Sequence, residues 1–202
     1  ELLPDILNRA QWQPHEFDSL LTEPDRVSAA TIAGAKMWRE ECDRIQANEW
    51  DDRRLYWRRL AAKKQLRNML VDHLDSEQIL SAFEHASRGI KGLTFSDQAD
   101  IRVVVTGFDP FGLHEHIDQS NPSGLMALLL AGSQIPVGEQ VAEVQTAILP
   151  VRFDDFDAGI IERIFEPLLS GHQVDLLLTV SMGRDGFDLE RFPGRRRSSE
   201  MP

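Results

Sequence analysis

Ile101-Arg102-Val103-Val104-Val105 decides the fold. The run is short, β-branched and almost wholly apolar, which is the composition of a strand buried on both faces of a parallel sheet. Downstream, Ser120-Asn121-Pro122 supplies an N-cap and then a proline near the first helical position. Leu125 to Ala131 continue that helix and Gly132 can end it. Val141–Leu149 reads as a second strand, closed by Pro150. Asp155 opens another helix with Phe156, Ile160, Ile164 and Phe165 on one side, and Pro167 marks its last turn. Val174–Val180 is a third apolar strand. Strands alternating with helices predict an α/β fold, a parallel-type sheet flanked by helices. Strands near 101–105, 143–149 and 174–180 should be parallel neighbours. Three strands are few for such a sheet, so this region is expected to be the first half of its domain.

Upstream the pattern is helical. Val27, Ala30, Ala33, Met37 and Ile45 fall close to a 3.6-residue period. Asp51 and Asp52 then begin an acidic first turn, followed by a stripe of Leu55, Ala62, Leu66 and Met69. A third helix is expected from Asp75, with Gln78 completing a capping box, apolar Ile79, Leu80, Phe83 and Ala86, and a stop at Gly89. The expected division is therefore a helical N-terminal region, 1–98, followed by α/β sequence over 99–202.

Composition narrows the functional classes. The net charge is −11, and both halves are acidic, whereas nucleic-acid binding needs a basic surface that displaces counterions from phosphate. No stretch approaches the roughly 20 apolar residues that span a bilayer, so neither nucleic acid nor membrane is an expected partner. The single cysteine, Cys42, excludes an intrachain disulfide. Its neighbours Glu40, Glu41 and Asp43 disfavour the thiolate needed for nucleophilic work. His114-Glu115-His116 looks like a metal-binding fragment but has no further ligand at convincing spacing, so no metal is expected.

Parallel sheets bind ligands beyond the carboxyl ends of their strands, which selects two loops. After the first strand comes Thr106-Gly107-Phe108-Asp109-Pro110-Phe111-Gly112. Phe108 and Phe111 either wall a pocket for a small, flat, uncharged group or plug the top of the sheet. After the third strand, Ser181–Arg191 carries Arg184, Asp185, Asp188, Glu190 and Arg191. These are either an acid that orients a base or a solvated network of ion pairs. No nucleophile stands near either loop.

The series Val103-Val104-Val105-Thr106-Gly107-Phe108-Asp109-Pro110-Phe111-Gly112, then Asn121-Pro122-Ser123, Leu149-Pro150-Val151, Gly183-Arg184, Glu190-Arg191 and Met201-Pro202 resembles the pyroglutamyl peptidase I (pyrrolidone-carboxylate peptidase) family. The resemblance runs over about residues 102–202. It implies a cysteine peptidase on an α/β sheet that removes amino-terminal pyroglutamate from peptides. In it, Glu190 would be the catalytic glutamate, Phe108 and Phe111 the substrate-binding aromatics, and the Cys and His would lie beyond Pro202. It implies no metal or organic cofactor, a pyroglutamyl peptide as substrate, room for a homo-oligomer and a cytoplasmic setting, though a first residue other than Met leaves secretion open. The rival expectation is a non-catalytic relative that binds a partner through the helical region and a retained pocket.

Overall fold

The computed structural model describes residues 8, 10, 11, 17, 20–183, 186 and 188–190. Three helices come first: α1 (Arg26–Gln46), α2 (Arg53–Met69) and α3 (Ser76–Ser87). Asp25 caps α1 by accepting from the Ser28 amide at 2.9 Å. The capping box expected at Asp75 does not form, since Asp75 makes no cap bond and lies beside Arg26 instead. Ala30, Met37 and Ile45 of α1 face Ile79 and Phe83 of α3 within one apolar core. The two helices meet closely at Gly34, where a Cβ would lie 2.6 Å from the Phe83 carbonyl oxygen and 2.9 Å from the Ala86 Cβ.

A sheet follows, built from β1 (Ile101–Phe108), β2 (Gln134–Val137), β3 (Gln140–Leu149) and β4 (Leu176–Thr179), in the order β2-β3-β1-β4. β3, β1 and β4 are parallel neighbours, with Val104 opposite Gln145 on one side and Leu177 on the other. The architecture read from the alternation of strands and helices is therefore present. β2 was not anticipated, because Pro136 and Gly138 argue against a strand. It runs antiparallel to β3 at the edge of the sheet, where a proline has no ladder bond to lose.

Three further helices cover the sheet: α4 (Pro122–Leu130), α5 (Phe153–Asp157) and α6 (Ile160–Ser170). The single helix expected from Asp155 is broken by Gly159, which takes φ 77°. Period-two alternation divides the strands between two faces. Val104, Ala147 and Leu149 pack on Ile160, Ile164 and Phe165 of α6. Val103, Val105 and Val144 pack on the α4 side, against Met126 and Leu130. Ile148 joins Ala127 and Leu128 of α4 in the core of the helical layer. One apolar core thus crosses from helices to sheet. β4 departs from the doubly buried strand expected: Leu176 and Leu178 are 45% and 41% exposed, because no described element covers that side of it. Among the described residues no helix is long and apolar enough to cross a membrane.

A candidate binding site at the helix–sheet junction

The site begins with the close passage of β1 beneath the start of α4. A Cβ on Gly107 would lie 2.1 Å from the Ser123 carbonyl oxygen, so only glycine lets the strand end there. The next turn is then pinned. The Asp109 amide donates to the Leu149 carbonyl at 3.0 Å, and Asn121 Nδ2 donates to the Asp109 carbonyl at 2.9 Å. Asp109 is thereby held between the carboxyl ends of two parallel strands, 4% exposed.

Two guanidinium groups of the helical layer close on its carboxylate. Arg59 of α2 donates to one oxygen, and Arg88, just past α3, donates to the other at 2.8 Å. Arg88 also reaches the Ile148 carbonyl at 3.2 Å and Glu84 at 3.0 Å. Glu84 pairs in turn with Lys63 and lies 3.7 Å from Arg152. Burial alone would raise the Glu84 carboxyl, but Arg88 and Lys63 outweigh it and hold it down at about 2. Burial draws the Lys63 ammonium down against the pull of Glu84. Arg152 is 58% exposed, but the other five charges are desolvated, so the loss of one partner among them strands another in a low-dielectric interior.

A second buried carboxylate ties the same two parts together. Asp52, at the amino end of α2, accepts from Ser120 Oγ at 2.6 Å and from the Asn121 amide at 3.0 Å. Burial pushes its carboxyl up to about 6 in spite of those bonds. Glu41, by contrast, gathers Arg44, Arg54 and Arg58 inside the helical layer.

Above the Asp109 network lies a cavity of about 280 Å³. α2 and α3 supply Tyr56, Arg59, Leu60, Lys63 and Glu84, and the carboxyl ends of β1 and β3 supply Asp109–His114 and Pro150–Arg152. Four fixed cations, Arg59, Lys63, Arg88 and Arg152, stand against two carboxylates, Glu84 and Asp109. Leu60, Pro110, Phe111, Leu113 and Val151 give an apolar wall. The Tyr56 hydroxyl hydrogen-bonds to no described residue. Such a place suits a compact molecule with an apolar body and one anionic group.

The expected site residues separate here. Phe111 lines the cavity. Phe108 does not: it turns to the α6 side and stacks on Phe156 with ring centroids 6.3 Å apart. Glu190 is exposed and absent from the cavity lining, as are the exposed Ser181–Gly183. Arg184, Asp185, Phe187 and residues 191–202 lie outside the described residues. Cys42 is buried in the helical core, and burial followed by Asp43 and Glu41 pushes its thiol up to about 12. His114 is at the exposed rim and His172 is exposed elsewhere. Arg59 and Arg88 were missed by the sequence reading, and Asp109 was passed over inside the motif it belongs to.

Residues 102–201 match the family described as PA0049, C-terminal domain. The chain is also 31% identical over 202 residues to the uncharacterized protein PA0049 of Pseudomonas aeruginosa, an alignment covering 86% of this chain. It spans only 36% of that relative's length. No solved structure matches the chain. These matches overturn the resemblance to pyroglutamyl peptidase I: the stretch that carried it is similar to the PA0049 C-terminal domain instead, and neither match points to that peptidase. The structure adds a physical reason. In this chain Phe108 packs against the core and Asp109 anchors two arginines, so the motif has work to do in the fold.

Proposed function

We propose that the chain is a ligand-binding unit whose site, at the junction of helical layer and sheet, takes a small molecule bearing a carboxylate or similar anion. The observation that carries this is the local excess of Arg59, Lys63, Arg88 and Arg152 over Glu84 and Asp109, which persists with Asp155 counted against Arg152, in a cavity of a protein whose net charge is −11. Its position beyond the strand ends supports the reading, as does the apolar wall that would hold the ligand's body. The helical region is then part of the site, since it contributes six of the fifteen lining residues. Calorimetry with benzoate and benzamide tests the reading. Benzoate should bind, benzamide should not, and Arg152→Gln should weaken benzoate about tenfold, since loss of a charge-assisted contact is worth that order. Equal binding of the amide, or no benzoate binding at millimolar concentration, would overturn it.

A second reading is that the same cavity serves a thiol peptidase, with its nucleophile and base supplied from outside this stretch. The apolar wall that Phe111 completes would hold a flat lactam ring and favours it, while the buried and very weakly acidic thiol of Cys42 would take no part. Release of arylamine from a pyroglutamyl arylamide by the whole protein is the test, and none at any pH between about 5 and 9 would end it.

A further inference from the structure

A second cavity, of about 190 Å³, adjoins the first. The two share Lys63, Glu84, Arg88, Pro150 and Arg152, so the Lys63–Glu84 ion pair is the partition between them. Beyond the partition, Arg67 of α2 and Arg163 of α6 enter the lining. Neither forms an ion pair with a described carboxylate, and Arg163 spends one N–H on the Ala158 carbonyl. Two further acids line this side, but Asp155 is already taken by Arg152 at 2.6 Å, which leaves Glu77. His85, also in the lining, senses the resulting field. Burial lowers its imidazole first, then Lys91, and Arg163 and Arg88 add to the effect against Glu84 alone. The second chamber is therefore a cationic, partly desolvated space that shares the Lys63–Glu84 wall with the first.

We infer that this chamber is a second anion subsite, and that the ligand is an elongated dianion of the dicarboxylate class whose charges lie on either side of the Lys63–Glu84 pair. The inference rests on the proposal that the first cavity receives an anion, and it adds the length and the second charge. An anion in each chamber would meet cations from both helical layer and sheet, and the partition would set the spacing that is accepted. Monocarboxylates would fill only the first chamber.

The test is calorimetry on the protein with straight-chain dicarboxylates from succinate to suberate, each beside the monocarboxylate of equal length. One chain length should bind at least tenfold tighter than its monocarboxylate. Arg67→Gln combined with Arg163→Gln should abolish that gain and leave monocarboxylate binding unchanged. Both residues are exposed and line only the second chamber, and an unaltered melting temperature would confirm that the fold is intact. Monocarboxylate binding with no dicarboxylate gain, or a gain that survives the double substitution, overturns the second subsite and leaves the first proposal standing. Failure of both ligand series overturns both.

Discussion

Asp109, 4% exposed, compensates two guanidinium groups that are themselves buried. Asp109→Asn should therefore cost about 3–5 kcal/mol, the range for breaking a buried ion pair from one side, read as a lower urea midpoint at unchanged slope. A loss below about 1 kcal/mol would mean that Arg59 and Arg88 find other acceptors. Cys42 gives the opposite kind of prediction. With its thiol pushed up to about 12 and its side chain in the core, it should resist a thiol reagent in the native protein and react promptly once unfolded. Fast labelling of native protein would show that α1 opens. The residues of the site were half legible. The Phe108–Phe111 loop was selected from strand order alone, and it does contribute to the cavity. The arginines were not selected, because a charge on a helix is read by default as solvated. The signal was nonetheless present: Arg59 falls on the apolar stripe Leu55, Ala62, Leu66, where a cation must find a buried partner.

At the scale of elements, the approach of α1 to α3 is set by one missing side chain. Gly→Ala inside a helix normally gains about 1 kcal/mol from propensity. At Gly34 the new methyl would meet a backbone oxygen at 2.6 Å, and backbone cannot rotate away. Gly34→Ala should be net destabilising and Gly34→Val more so, by about 1–3 kcal/mol of overpacking, visible as a lower melting temperature. Equal or higher stability of the alanine variant would mean that the helices part at little cost. The elements carrying strong periodicity were legible: three helices, three parallel strands and their order of appearance. β2 was hidden by Pro136, and the break between α5 and α6 by Phe156, Ile160 and Ile164, which keep a helical spacing across Gly159. In both cases tertiary position decided what local preference could not. The loop after β4 was chosen by the same carboxyl-end rule as the loop after β1, yet its described residues stay exposed, since α2 and α3 cap only the β1 and β3 ends.

At the scale of the whole molecule, Asp52 makes the docking of helices onto sheet depend on pH. Its folded pKa of about 6 lies above the ordinary aspartate value of 3.8, so between those values the native state holds a proton that the unfolded chain has released. The associated stability is complete below about pH 4, falls as pH rises through about 6, and amounts to at most about 3 kcal/mol. Asp52→Asn has no such titration, so its stability relative to the parent should improve steadily between about pH 4 and 7, in denaturation series at fixed ionic strength. A constant difference across that range would show that Asp52 ionises normally. The shared core makes a companion prediction: Ile148→Ala should lower helical and sheet signals together, by about 2–5 kcal/mol, and separate transitions would show that the two parts fold independently. The floor of the cavity, with Asp109 from one side and Arg59 and Arg88 from the other, then acquires a thermodynamic meaning. On the proposed reading, a small molecule seated there would recognise only the assembled arrangement, and its occupancy would act as a clasp. At a hundred times its Kd it would add about 2.7 kcal/mol to the assembled state, and any ligand that binds only the opened seam must weaken the molecule's hold by the factor by which the molecule weakens its own. Amide hydrogens in α2 and in β1 should accordingly slow their exchange in step as the ligand is added, although only a few of them lie near it.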